Sequence, residues 1–193
     1  MAVMHSVSNF DAGHGRLLLT MARRSIEHGL TRGEPLRVEV EDQPAALQQP
    51  GACFVTLHKE GQLRGCIGNL NPVQPLVCDV SENAYSAAFR DPRFVRVQNG
   101  EMAALQIEIS ILTPRETVSV DSEAELLQSL RPGIDGLVLE EGVLRATFLP
   151  AVWEHLPDPR RFLQQLKLKA GLPKDYWSST LRIHRYRTVS VED

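Results

Sequence analysis

The stretch Ala52-Cys53-Phe54-Val55-Thr56-Leu57-His58-Lys59-Glu60-Gly61-Gln62-Leu63-Arg64-Gly65-Cys66-Ile67-Gly68 decides how this chain is read. Apolar residues recur at every second position on either side of His58-Lys59-Glu60-Gly61-Gln62, the pattern of a hairpin with one face in a core. The lone glycine of that loop predicts a type I turn followed by a residue with positive φ, which pairs His58 with Gln62, Thr56 with Arg64 and Phe54 with Cys66. One face then carries Cys53, Val55, Leu57, Leu63 and Ile67 and points inward. The other carries Phe54, Thr56, His58, Arg64 and Cys66. In this register Arg64 and Cys66 lie roughly 6.6 Å apart, and His58 lies roughly 13 Å from Cys66 by strand rise, too far to be its partner. Gly65 and Gly68 weaken a strand unless backbone or ligand approaches closely, so they mark a packing contact or a binding surface.

Outward from the hairpin, Asp11 predicts the cap of a helix running to about Gly29, and Thr31 to Pro50 reads as a loop with a short strand at Leu36 to Val40. Val73 to Arg90 carries a wide apolar stripe and is a helix that Asp91-Pro92 ends. Ala104 to Leu112 alternates as a half-buried antiparallel strand. Ser122 with Glu125 resembles a capping box opening a short helix. A second hairpin spans Gly136 to Leu149, a helix starts at Pro159 behind Asp158, and Leu181 to Val191 reads as a final strand. Strands come as hairpins and helices do not alternate with them, which predicts an α+β fold with antiparallel sheets flanked by helices.

The 193 residues, 42% hydrophobic and 23% charged, are ordinary globular composition. A net charge of -3 implies no general attraction to nucleic acid or anionic membrane. Charge is nevertheless uneven: eight Lys or Arg residues lie between Arg160 and Arg187 against the single Asp175, and acidic residues crowd Glu116 to Glu141. Three cysteines, Cys53, Cys66 and Cys78, leave one unpaired in any disulfide scheme and are read as reduced. Met1 to Phe10 lacks a leader pattern, and no stretch approaches a membrane span, so a cytoplasmic location is expected.

Phe54-Val55-Thr56-Leu57, Leu63-Arg64-Gly65-Cys66-Ile67-Gly68, Asn83-Ala84 with Ala87-Ala88-Phe89, and Asp91-Pro92-Arg93-Phe94 together resemble the AMMECR domain family. Its bacterial and archaeal members are called AmmeMemoRadiSam system protein A. The resemblance continues through Ile109 to Pro114, Asp135-Gly136-Leu137, Leu149 to Glu154, Phe162-Leu163 and Lys169 to Leu172, and so covers nearly all of a single AMMECR-type domain over residues 1–193. Arg96 and Ala151 depart from it, standing where Pro and Gln are common. It implies two unequal subdomains with a groove between them near the cysteine motif, and no assigned reaction. The family name implies a Memo-like protein and a radical SAM enzyme as partners.

Cys66 is the candidate nucleophile, since a thiolate beside a cation is the reactive form, although a strand cysteine is more often a small buried hydrophobe. Arg64 with the backbone of Gly65 and Gly68 is the candidate anchor for an anionic small molecule or a partner's modified residue. Asn83, Asp91, Arg93, Trp153 and Glu154 are candidates for groove or support, with Asp91 and Arg93 read chiefly as loop anchors and Trp153 as core or groove wall. Glu108 reads as solvated. The cysteines lack metal-ligand spacing, and no cofactor motif occurs. Arg182, Arg185 and Arg187 interleave with aromatic residues as in single-strand nucleic-acid binders, but a basic face docked on the protein's own acidic segment is the favoured reading.

Overall fold

The computed structural model describes residues 10–193 and contains, in chain order, α1 (Ala12–Arg32), α2 (Ala45–Gln48), β1 (Pro50–Gly51), β2 (Cys53–Lys59), β3 (Gln62–Gly68), β4 (Gln74–Pro75), α3 (Leu76–Phe89), β5 (Leu105–Leu112), β6 (Glu116–Thr117), α4 (Glu123–Ser129), β7 (Gly136–Glu141), β8 (Leu144–Phe148), α5 (Pro159–Lys169), β9 (Arg182–Tyr186) and β10 (Thr188–Glu192). The fold is α+β with antiparallel sheets. The leader reading falls almost wholly on residues 1–9, outside the described residues. Among the described residues no helix is long and apolar enough to cross a membrane.

Two compact, unequal units divide the chain: residues up to Leu112 with Val189–Asp193, and Thr113–Thr188. In the first, a sheet ordered β10-β5-β2-β3 lays Cys53, Val55, Leu57, Ile107 and Ile109 against Leu18 and Ile26 of α1 and Val80 and Ala84 of α3. Each such fully buried aliphatic side chain contributes about 2 kcal/mol, which fixes which face of the sheet meets the helices. In the second, the order is β6-β9-β7-β8, and Leu137, Leu139 and Ile183 pack with Leu126 of α4 and Phe162, Leu163 and Leu166 of α5.

Several boundaries differ from the sequence reading. Helix α1 runs past Gly29 to Arg32 and stops at Gly33, whose φ of 77° is left-handed. Gly29 is interior because a Cβ there would meet the rings of Phe89 and Tyr85 at 2.4 and 2.7 Å. The strand expected at Leu36 does not form: the Leu36 N–H donates to Ser25 Oγ and its carbonyl accepts from Ser81 Oγ, so side chains take the place of a neighbouring strand. Helix α3 begins at Leu76, since Gln74-Pro75 pairs with Pro50-Gly51 instead. The expected final strand splits at Arg187 into β9 and β10, which belong to different sheets.

Candidate functional site

The β2–β3 hairpin turns on two residues, Glu60 (φ 53°) and Gly61 (φ 74°), both left-handed, where a three-residue loop was expected. A two-residue turn with both φ values positive matches the twist of the strands it joins. Pairing starts at Lys59 with Gln62 and His58 with Leu63, then skips Arg64, a bulge, and resumes with Leu57 opposite Gly65, Thr56 opposite Cys66 and Phe54 opposite Gly68. Two expectations are thereby corrected. Leu63 faces away from the core and is exposed, and none of the three expected pairs forms: His58 lies opposite Leu63, Thr56 opposite Cys66 and Phe54 opposite Gly68. The bulge restores the alternation beyond it, so Cys66 does share a face with Phe54, Thr56 and His58.

That register changes which groups meet. His58, one non-adjacent pair along from Thr56, is a diagonal neighbour of Cys66 at about 7–8 Å between Cα atoms, not the 13 Å of the expected register. On the other side of Thr56 lies Glu108 of β5, so Cys66, Thr56 and Glu108 form one row across three strands. The Thr56 hydroxyl donates to the Cys66 sulfur at 3.4 Å.

Strand β3 is a sheet edge, and side chains close it at Cys66. The Cys66 N–H donates to Asp91 Oδ2 at 2.9 Å, and Arg93 Nη2 donates to the Cys66 carbonyl at 3.2 Å. Asp91 in turn accepts from Arg93 Nε at 2.9 Å and Nη2 at 2.7 Å, and from the Arg93 N–H at 3.1 Å. The Asp-Pro-Arg turn thus presents one acceptor and one donor, as a neighbouring strand would. The Arg93 guanidinium bonded to Asp91 holds that carboxyl well below the usual carboxylate range, against the opposing effect of burial, and the Cys66 N–H lowers it further. The pKa of Arg93 is raised, first by Asp91 and more weakly by the Cys66 side chain.

Arg64 serves differently. Its Nε and Nη2 grip Glu101 at 3.1 and 3.0 Å and its Nη1 donates to the Val95 carbonyl at 2.7 Å. Lys59 joins the same carboxylate at 3.1 Å, and chiefly because of Arg64 the Glu101 carboxyl drops to about 2. The Arg64 side chain is thereby nearly covered, at 12% exposed, whereas the cation held at the Cys66 carbonyl, Arg93, is 55% exposed. The two glycines are explained by packing: a Cβ on Gly65 would lie 2.2 Å from the Ala87 carbonyl oxygen, and one on Gly68 2.4 Å from the Cys53 carbonyl oxygen and from the Phe54 ring.

Asn83 belongs to a buried network centred on Asp79, where it donates to Asp79 Oδ2 at 3.0 Å and to the Cys53 carbonyl at 3.3 Å. Trp153 is buried in the second unit, stacked on Phe162 with centroids 3.8 Å apart, its Nε1 donating to the Asp135 carbonyl at 2.7 Å. Glu154 is exposed in the 3-10 turn Pro150–Glu154. Among the described residues, no group of three or more His, Cys, Asp or Glu side chains could hold a metal ion. The basic residues of β9 meet the acidic segment, Arg185 pairing with Glu116 at 3.2 Å and His184 lying 3.7 Å from Glu140. Thr56 escaped the sequence reading as a site residue, and only the correct register, set by the positive φ of Glu60, reveals it.

Fold and site together define an α+β protein with a half-buried cysteine set between a hydroxyl and a clamped guanidinium at a sheet edge. The AMMECR1 family model matches residues 19–191, and the chain belongs to that family. A protein of Methanothermobacter thermautotrophicus is 41% identical over 175 residues, covering 90% of this chain and 91% of the relative. Another, from Methanocaldococcus jannaschii, is 38% identical over 183 residues, covering 93% and 90%. The crystal structure of an uncharacterized protein from Pyrococcus horikoshii is similar at a TM-score of 0.84 and 34% identity, covering 93% of this chain and 91% of that one.

Proposed function

We propose that this protein binds an anionic small molecule, or a modified residue of a partner, beside Cys66 and acts on it through that thiol. The observation that carries the reading is the Arg93 guanidinium: Asp91 fixes it against the Cys66 carbonyl, yet its side chain remains 55% exposed. A cation held in place and open to solvent can take a carboxylate or phosphate without first losing its own orientation. Arg64, bonded to Glu101 on two nitrogens, supports the site by holding the bulge. The partner whose residue would enter is a Memo-like protein or a radical SAM enzyme, to be tested by co-purification with Cys66→Ser and Arg93→Gln variants.

Competing alkylators test the anchor directly. Iodoacetate and iodoacetamide attack the same thiolate, so the ratio of their rates removes the thiol pKa and leaves the local field. The expected ratio at Cys66 exceeds that at Cys78 by about tenfold, falls to the Cys78 value in Arg93→Gln and holds in Arg64→Gln. An equal ratio at Cys66 and Cys78 in the unaltered protein would overturn the reading.

A further inference from the structure

We propose that the outward face of the sheet in the second unit binds the phosphate group of a small monoester, with Arg115, Arg145 and His184 as its anchors. In that sheet Leu137, Leu139 and Ile183 point into the core, so Val138 and Glu140 of β7 face the other way, together with Arg182, His184 and Tyr186 of β9 and Arg145 and Thr147 of β8. Val138 and Tyr186 are buried there at 0% and 1%, an apolar floor beneath a polar rim. Of the interleaved arginines of β9, Arg182 lies on this face, whereas Arg185 alternates to the other and pairs with Glu116. The remaining cations come from Arg145 of β8 and from Arg115, just ahead of β6.

Glu140 marks where this face already holds an anion. Arg145 Nε lies 3.1 Å and Arg115 Nη1 4.0 Å from its Oε1, and His184 Nε2 lies 3.7 Å from its Oε2. Thr117 Oγ1 lies 3.2 Å from the other ring nitrogen of His184 and steadies the imidazole. One carboxylate thus sits among two guanidinium groups and an imidazole, with Arg182 directly opposite it on β9. Burial, and after it the neighbouring Arg145, push the Arg115 pKa down against the pull of Glu140, so the two guanidinium groups crowd each other. A second anion set over both relieves that crowding. A phosphate suits the place because each guanidinium fork can take two of its oxygens, and a monoester brings about two negative charges where a carboxylate brings one. All of these residues belong to the second unit, so the site is independent of the reading of Cys66.

Inorganic phosphate, titrated at constant ionic strength into isotope-labelled full-length protein while the Nε–H resonances of Arg115 and Arg145 are followed by NMR, tests the site. Saturable shifts with a dissociation constant on the order of 1 mM are expected, with glycerol phosphate competing for the same place and chloride giving no saturation. Arg145→Gln should weaken phosphate at least about tenfold, read at Arg115. Glu140→Gln should tighten it at least about fivefold, because the competing carboxylate is gone while the cations stay. A cluster that serves the fold alone would lose stability in Glu140→Gln and gain no affinity. Arg93→Gln should leave these shifts unchanged, which separates this face from the Cys66 site. Shifts that do not saturate or that chloride reproduces, glycerol phosphate that fails to compete, or a Glu140→Gln protein that binds phosphate no tighter than the unaltered one each overturn the inference.

Discussion

Two carboxylates each take a backbone N–H from the β2–β3 hairpin at 2.9 Å, Asp79 from Cys53 and Asp91 from Cys66, and they do so in opposite company. Asp79 is fully buried and its other partners are the neutral amides of Asn69, Gln74 and Asn83. Burial raises its pKa, which those hydrogen bonds only partly oppose. Asp91 is as hidden, but a guanidinium lies against it and the balance reverses. A carboxylate satisfied by neutral donors alone can hold elements together but leaves no charge to offer a ligand. One that holds an arginine can also aim that arginine at a neighbouring atom. Here the neighbour is the Cys66 carbonyl, so the Asp79 end of the hairpin is closed by neutral donors while the Asp91 end carries a cation open to solvent, which is where the proposed chemistry would lie.

Removing Asp79 should therefore have the largest effect on the fold and the least on the thiol. Asp79→Ala leaves the Cys53 N–H and three side-chain amides facing a small cavity, at an expected cost of about 4 kcal/mol. Denaturant unfolding should show a lower midpoint, while Cys66 alkylation below the transition stays within about twofold of the unaltered protein. A folded Asp79→Ala protein with a slow Cys66 would abolish the division.

Asp91→Ala should cost less stability, about 2 kcal/mol, because Arg93 regains water when its partner goes. Its effect on the site should be greater than its effect on the fold. Without the carboxylate the guanidinium swings away from the sheet edge, and the iodoacetate preference at Cys66 should drop by about the same tenfold as in Arg93→Gln. Retention of that preference would mean that Arg93 needs no clamp.

Both ends of the hairpin were partly legible in the sequence, to different depths. Periodicity sufficed for the inward row Cys53, Val55 and Leu57 and for the outward placement of Cys66, because a bulge restores the face that the turn displaces. The partner across the strand was not legible, since a non-glycine residue, Glu60, adopts the left-handed conformation and shortens the loop by one residue. From that single shift follow the outward turn of Leu63, the Thr56–Cys66 contact and the approach of His58. Asp91 was readable as an anchor from Asp-Pro, but the object it anchors is a backbone N–H, which has no residue letter. Gly65 and Gly68 were marked by composition as close approaches, and helix α3 rather than a ligand makes the nearer one.

The smallest expected effect, and the finest test of the contrast, is in the dependence of stability on pH. The folded pKa of Asp91 lies below its ordinary 3.8, so its contribution is complete above that value and is lost as pH falls toward the folded one. For Asp79 the folded pKa lies above 3.8, so the folded chain holds a proton more tightly than the unfolded one. Its contribution is greatest below 3.8 and declines as pH rises through the folded value. Unfolding midpoints measured from pH 7 downward should then show a rise on the first acid step, as Asp79 takes up a proton, and a fall below about pH 4, where the unfolded chain takes up the proton that the Asp91–Arg93 pair refuses in the folded one. Asp79→Asn should remove the rise and keep the fall, whereas Asp91→Asn should keep the rise and soften the fall. If the two variants give the same profile, the carboxylates differ only in position, and the charge beside Cys66 owes nothing to Asp91.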